Sequence, residues 1–203
     1  MLKVFGHPMS TCTRKVLTTV NELGLPHEFV VVDFATGEHK QPAHLSRQPF
    51  GQVPAIDDDG FALYESRAIC RYLNDKTSGA LIPADLRGRA VMEQWISVES
   101  ANFTSHAMKF VYEDIFKRPQ GEDVLEKARA GLEKALMVMD TRLGKAPYFA
   151  GETFSIADIA YMPYVDYGMM TSAKPIYQKY PHVMAWWQRV SERPSWKKAT
   201  GKA

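Results

Sequence analysis

Leu2-Lys3-Val4-Phe5-Gly6-His7-Pro8-Met9-Ser10-Thr11-Cys12-Thr13-Arg14-Lys15-Val16 reads as a strand, a turn and the start of a helix. Leu2 to Phe5 is a short apolar run of strand character. Gly6 to Pro8 breaks it with turn residues. From Arg14 to Leu23 the apolar residues Val16, Leu17, Val20 and Leu23 recur at helical spacing. Gly24 stands where a glycine ends a helix. Ser10 has the side chain of a good N-cap, whose oxygen accepts from a free helix amide. A hydroxyl at that place also suits a second task. The exposed N–H groups and the helix dipole favour an anion beside it. These residues taken alone leave both readings open.

Working outward, Phe29 to Val32 is strand-like, and the polar stretch Thr36 to Gln48 is expected to include a short helix. Val53 to Ile56 and Phe61 to Leu63 predict two strands joined by the turn Asp57-Asp58-Asp59-Gly60, a hairpin signal. Ser66 to Asn74, with Ile69, Tyr72 and Leu73, predicts a helix. The order β-α-β-α-β-β-α specifies a small α/β domain. After Lys76 the character changes. Thr77 to Pro83 reads as a linker, and helical patterns then cover Arg87 to about Phe116, Asp123 to Leu143, Ile156 to about Thr171 and His182 to Arg193. A stripe of Val91, Trp95, Val98, Asn102 and Phe103 marks a buried helix face. The expected division is an α/β domain over 1–77 and an all-helical domain over 86–203.

Composition narrows the function classes. The chain has 25 Lys or Arg against 23 Asp or Glu, for a net charge of +2. A nucleic-acid or membrane-surface protein concentrates its basic residues. Here the nearest cluster is Lys197, Lys198 and Lys202, so neither partner is expected. Cys12 and Cys70 are too few for a disulfide framework, which points to a reducing compartment. The N-terminus enters strand-like sequence directly, without a leader pattern. No apolar run approaches the ~18 to 20 residues that span a bilayer. A cytoplasmic protein is the expectation. The six histidines lack close ligand spacing and neither cysteine has a CxxC partner, so no metal site is expected. Gly6 and Gly51 form no phosphate-binding loop. Ser155-Ile156-Ala157-Asp158 has the capping-box pattern of a helix start, and Trp186-Trp187 reads as packing.

Two further stretches join the opening one: Gln48-Pro49-Phe50-Gly51-Gln52-Val53-Pro54-Ala55, with a proline at a strand entry, and Leu63-Tyr64-Glu65-Ser66-Arg67-Ala68-Ile69, where an acid and a hydroxyl open a helix. With FGHPMSTCTRKV (residues 5–16), DFATGEHKQPAHLSRQPFGQVPAIDDDG (33–60) and LYESRAICRYL (63–73), the chain resembles the glutathione S-transferases, and among them the phi class. TFSIADIAYMP (153–163), YPHVMAWW (180–187) and RPSW (193–196) extend the resemblance along nearly the whole chain. The motifs are specific jointly rather than singly.

The resemblance implies a thioredoxin-like domain followed by an all-helical one, and a transferase with glutathione as co-substrate and no permanently bound cofactor. Ser10 matches the serine that hydrogen-bonds the glutathione sulfur. His39 and Lys40 match residues near the glycine carboxylate. Val53, before a cis Pro54, matches the main-chain partner of the cysteinyl unit, and Gln52, Glu65 and Ser66 match contacts to the γ-glutamyl end. Arg67 is expected to support these contacts or to lie at an interface. Met9, Phe34, Phe103, Met108 and Tyr112 are placed beside the sulfur, as an apolar pocket for the electrophile. Phe50 matches an aromatic that anchors a homodimer. The same thiolate is expected to conjugate hydrophobic electrophiles and to reduce organic hydroperoxides.

Magnitudes support a serine mechanism. A thiol of pKa ~8.5 is only about 3% ionised at pH 7, and lowering it by about two units requires ~2.7 kcal/mol. One hydrogen bond to a charged group supplies ~1.5 to 3 kcal/mol, and a helix N-terminus adds ~0.3 to 1. Two other readings are a thiol transferase working through Cys12 and a non-catalytic carrier of hydrophobic ligands. Cys12, inside the first helical turn, is expected to face away from the sulfur.

Overall fold

The computed structural model describes residues 1–202. It comprises two compact units, one of Met1–Ala80 together with the segment from Glu192 onward, the other of Leu81–Ser191.

The first unit is built on a four-stranded sheet. Strands β1 (Leu2–Gly6), β2 (His27–Val31), β3 (Ala55–Asp58) and β4 (Phe61–Tyr64) lie in the order β2-β1-β3-β4. β1 pairs parallel with β2 and antiparallel with β3, with Val4 opposite both Phe29 and Ile56. The parallel pair needs a crossover, which α1 (Thr11–Glu22) supplies. Val16, Leu17 and Val20 on α1 are buried, as their spacing predicts. The helix ends in a Schellman motif. Leu25 N–H donates to Val20 O at 2.9 Å and Gly24 N–H to Asn21 O at 3.2 Å, with Gly24 at φ +62°. β3 and β4 are joined by Asp59 and Gly60, both at positive φ, which is the primed turn that matches strand twist. The expected strands and hairpin are therefore present, their ends shifted by one or two residues.

Between β2 and β3 lie a 3-10 turn at Glu38–Lys40 and the short helix α2 (Pro42–Leu45). α3 (Ser66–Lys76) follows β4 and buries Ile69, Cys70 and Leu73.

The second unit is helical: α4 (Leu86–Val98), α5 (Thr104–Asp114), α6 (Glu122–Leu143), α7 (Ile156–Gly168), α8 (Lys174–Tyr177) and α9 (Pro181–Ser191). The helical stretch expected from Arg87 to about Phe116 runs without a gap over 86–114, but it is not one regular α-helix. A π-type turn, Glu99–Phe103, separates α4 from α5. Glu99 is fully buried there and its carboxylate accepts from Thr104 Oγ1. Every residue of α7 is buried, and Trp95, Phe149, Tyr161 and Trp186 stack around it. Tyr161 Oη donates to Trp95 O at 3.0 Å.

α10 (Pro194–Thr200) belongs to the first unit, not to the helical region 86–203 of the sequence reading. The reason is electrostatic as well as apolar. Arg193 donates from Nε and a terminal nitrogen to the two carboxylate oxygens of Glu22 at 2.6 and 2.7 Å, and Ser195 Oγ also donates to Glu22. Asn21 Nδ2 donates to Ser195 O at 3.1 Å. This segment is tied to the C-terminal end of α1.

Candidate functional site

β1 ends at Gly6, whose close fit matters. A Cβ there would meet the Thr13 side chain at 2.4 Å. Thr13 Oγ1 accepts from His7 N–H at 3.3 Å, so that hydroxyl oxygen is committed to holding the turn. Ser10 N–H donates to His7 O at 2.9 Å, which brings Ser10 to the N-cap of α1. Ser10 Oγ accepts from Thr13 N–H at 3.2 Å. A hydroxyl that accepts in this way keeps its own hydrogen for a second partner.

Across the unit, residues 44 to 54 are held by their own polar groups. His44 and Gln48 are both buried. The Gln48 side-chain oxygen accepts from Gln52 N–H at 3.0 Å, and His44 Nε2 contacts Gln52 O at 2.7 Å. Lys40 Nζ donates to Phe50 O at 2.9 Å. Gly51 sits at φ +61° with no room for a Cβ, which would lie 2.8 Å from His39 O. The Val53-Pro54 peptide bond is cis, and Val53 precedes β3, so its main chain is outside the strand ladder. Glu65, at the N-cap position of α3, has φ +72°. A non-glycine residue in that region costs on the order of 1 to 3 kcal/mol and is found mainly where a ligand site demands it. Ser66 follows as the first residue of α3, only 3% exposed, and its hydroxyl has no partner among the described residues.

Gln52, Val53, Pro54, Glu65 and Ser66 come together around one small cavity of about 40 Å³, completed by Cys12 and Gln48. At ~10 to 15 Å³ per water-sized group, it admits the charged end of a ligand rather than a whole tripeptide. Cys12 lines this cavity and Ser10 does not, so Cys12 lies beside the residues expected at the γ-glutamyl end rather than beside the expected sulfur position. Gln48 and His44 are further residues the motifs left unassigned, although the four-residue spacing of Gln48 and Gln52 hints at their bond.

The remaining expected residues fall elsewhere. His39 and Lys40 lie in the 3-10 turn beside the cavity's loop, and His39 Nδ1 is buried without a partner. Phe34 stacks on His7 at 4.8 Å and meets His39 edge-on at 4.8 Å. Met9 and Phe34 are both exposed. In the second unit Met108 and Tyr112 share one face of α5 and are partly exposed. Phe103 departs from the expectation. It is 0% exposed and packs against Tyr161, Tyr164 and Tyr177, which leaves it no surface to offer a ligand. Phe50 is 65% exposed. No group of His, Cys, Asp and Glu among the described residues could hold a metal ion, and no helix among them is long and apolar enough to cross a membrane.

A thioredoxin-like unit with a cis proline at its cavity, joined to a helical unit, defines the two-part build of a glutathione-dependent transferase. Models of the glutathione S-transferase N-terminal and C-terminal domains match residues 1–75 and 103–194. The chain belongs to the glutathione S-transferase family and sits among its plant phi-class members, transferases whose co-substrate is glutathione. It is 39% identical to the probable glutathione S-transferase GSTF1 of Oryza sativa subsp. japonica, over 97% of this chain and 94% of that protein. It is 38% identical to glutathione S-transferase F7 of Arabidopsis thaliana, over 97% and 98%. Among solved structures, glutathione transferase F2 of Populus trichocarpa superposes with a TM-score of 0.94 at 35% identity, covering 100% and 98% of the two chains. Maize glutathione S-transferase I in complex with an atrazine glutathione conjugate gives 0.91 at 35%, covering 98% and 96%.

Proposed function

We propose that this transferase ionises glutathione with Ser10 and adds the thiolate to hydrophobic electrophiles. The observation that carries the reading is the exposure of the turn's hydroxyls. Ser10 and Thr13 each accept from a backbone N–H and keep a hydrogen to donate, but Thr13 is fully buried whereas Ser10, at the N-cap of α1, is partly exposed. Ser10 acts as a donor alone. The thiol proton leaves to solvent as glutathione binds, and the sulfur forms its bond to carbon as the electrophile's leaving group departs.

The tripeptide is oriented by its ends. Glu65 suits the γ-glutamyl ammonium, and Ser66 with Gln52 suits its carboxylate at the start of α3. Val53 pairs with the cysteinyl unit through its main chain. His39, with its unpartnered Nδ1, and Lys40 take the glycine carboxylate. Met9, Phe34, Met108 and Tyr112 supply apolar surface for the electrophile, and the fully buried Phe103 supplies none. Organic hydroperoxides are a second substrate class for the same thiolate. The assembly we propose is a homodimer anchored by Phe50, whose exposure argues against a core role. Two free cysteines suit a cytoplasmic setting.

Ser10→Ala tests the mechanism. The ultraviolet band of bound glutathione thiolate at neutral pH should fall strongly, and turnover with an aryl halide should fall with it. A variant that kept both would overturn the assignment.

A further inference from the structure

Cys12 is the second residue of α1, yet it forms part of the wall that Glu65 and Ser66 close from the other side. The cavity is built to receive something there. Ser66 is 97% buried as a residue, lines the cavity and has an unpartnered hydroxyl, which makes it a polar group waiting for a ligand. The other cysteine has an opposite setting. Cys70 is fully buried, burial pushes its thiol up to about 11, and Thr19 Oγ1 donates to its sulfur at 3.1 Å. The chain therefore has one buried, protonated thiol and one partly exposed cysteine in the wall of the cavity that we assign to a glutathione end group.

We infer that Cys12 is a site of reversible glutathionylation, and that the adduct closes the cavity to glutathione. This rests on the reading that the cavity receives glutathione. The co-reactant is a disulfide, glutathione disulfide itself. The Cys12 thiol gives its proton to solvent and its sulfur attacks one sulfur of the disulfide. A new bond forms from Cys12 Sγ to that sulfur and the old S–S bond breaks. The bonding pair leaves with a glutathione thiolate, which takes up a proton. Cys12 is oxidised to a mixed disulfide and one glutathione is produced. Free thiol reverses the exchange. Because the cavity holds only about 40 Å³, a group tethered at Cys12 excludes the ligand end that Ser66 and Glu65 would bind.

The test treats reduced protein with glutathione disulfide and then removes all free glutathione. Intact mass and peptide mapping locate the adduct, and binding of S-hexylglutathione and aryl-halide turnover are measured on the same sample. Wild type should gain one glutathionyl group at Cys12, lose S-hexylglutathione binding and turnover by at least tenfold, and recover both in dithiothreitol. Cys12→Ser should gain no mass and keep its own untreated values. No adduct on wild type, an adduct on Cys70 alone, or an adduct at Cys12 that leaves binding unchanged would each overturn the inference. Absence of turnover in untreated protein, with S-hexylglutathione binding intact, would instead count against the transferase mechanism, because mass and binding still read the adduct. Absence of that binding from untreated protein overturns both. Recovery of the wild type in dithiothreitol keeps the result readable even where the serine variant folds poorly.

Discussion

Ser10 and Ser66 both carry a hydroxyl at the start of a helix, and their surroundings differ in the way the two proposed roles require. Ser10 is partly exposed and held as an N-cap, whereas Ser66 is buried against the cavity with an unused hydroxyl. Their variants should therefore split in opposite directions. If Ser66 binds the charged end of glutathione as proposed, Ser66→Ala removes that contact in ground and transition states alike, so KM for glutathione should rise about 10- to 160-fold, matching ~1.5 to 3 kcal/mol, with kcat little changed. Ser10→Ala should lower kcat strongly with a smaller effect on KM. Steady-state kinetics in glutathione would show it, and equal effects on both constants in both variants would refute the division of labour. Ser10→Ala with Thr11→Ala should fall further only where the Thr11 hydroxyl substitutes for the lost one. Spacing along the chain could not choose among Ser10, Thr11, Cys12 and Thr13. The burial of Thr13 against the end of β1 and the place of Cys12 in a wall shared with residues 48–54 and 65–66 are set by folding, not by spacing.

At the scale of an element, the start of α7 was legible as a pattern, while its energetics come from burial. Ser155 N–H and Ser155 Oγ donate to one oxygen of the Asp158 carboxylate at 2.9 and 3.0 Å. Phe149 N–H and Trp186 Nε1 donate to the other at 3.1 and 2.9 Å. Periodicity could signal Ser-x-x-Asp, but Trp186 is 28 residues away from Asp158 and could not be paired with it in advance. Asp158→Ala leaves these buried donors without an acceptor, at ~1 to 3 kcal/mol apiece. It should exceed the ~0.5 to 2 kcal/mol of an ordinary cap. Ser155→Ala should stay within that cap range. Denaturant unfolding of both variants would rank them, and equal losses would contradict the network.

Burial pushes the Asp158 carboxyl up to about 6, against the lowering effect of its four donors. The folded state then binds the proton more tightly than the unfolded state, whose carboxyl titrates near ~3.9. This contribution to stability is fully present below about pH 4 and is lost as pH rises through about 6. The stability difference between wild type and Asp158→Asn should narrow across that window and stay constant above it. A constant difference from pH 4 to 7 would remove the assignment.

At the scale of the whole molecule, the two-part architecture was readable from the change of pattern near residue 77, because strand and helix periods differ. Where the last segment goes was not readable. A proline-started helix near the C-terminus has the same sequence pattern whichever unit receives it, and the Glu22–Arg193 pair is 171 residues apart. Phe50 shows the reverse case, since its motif suggested an exposed anchor and the structure leaves it on the surface. If it anchors a homodimer, Phe50→Ala should weaken association by about 2 kcal/mol or more. Sedimentation at falling concentration would then show monomer where wild type remains dimeric.

The return of the chain to its first unit has a consequence for biosynthesis. The residues that pair with Glu22 are made after the 111 residues of Leu81–Ser191. At roughly 5 to 20 residues per second, the sheet and α1 wait on the order of ten seconds on the ribosome before α10 exists to dock. The first unit is thus completed only after the whole of the second has been made, and until then α1 lacks the neighbour that pairs with Glu22.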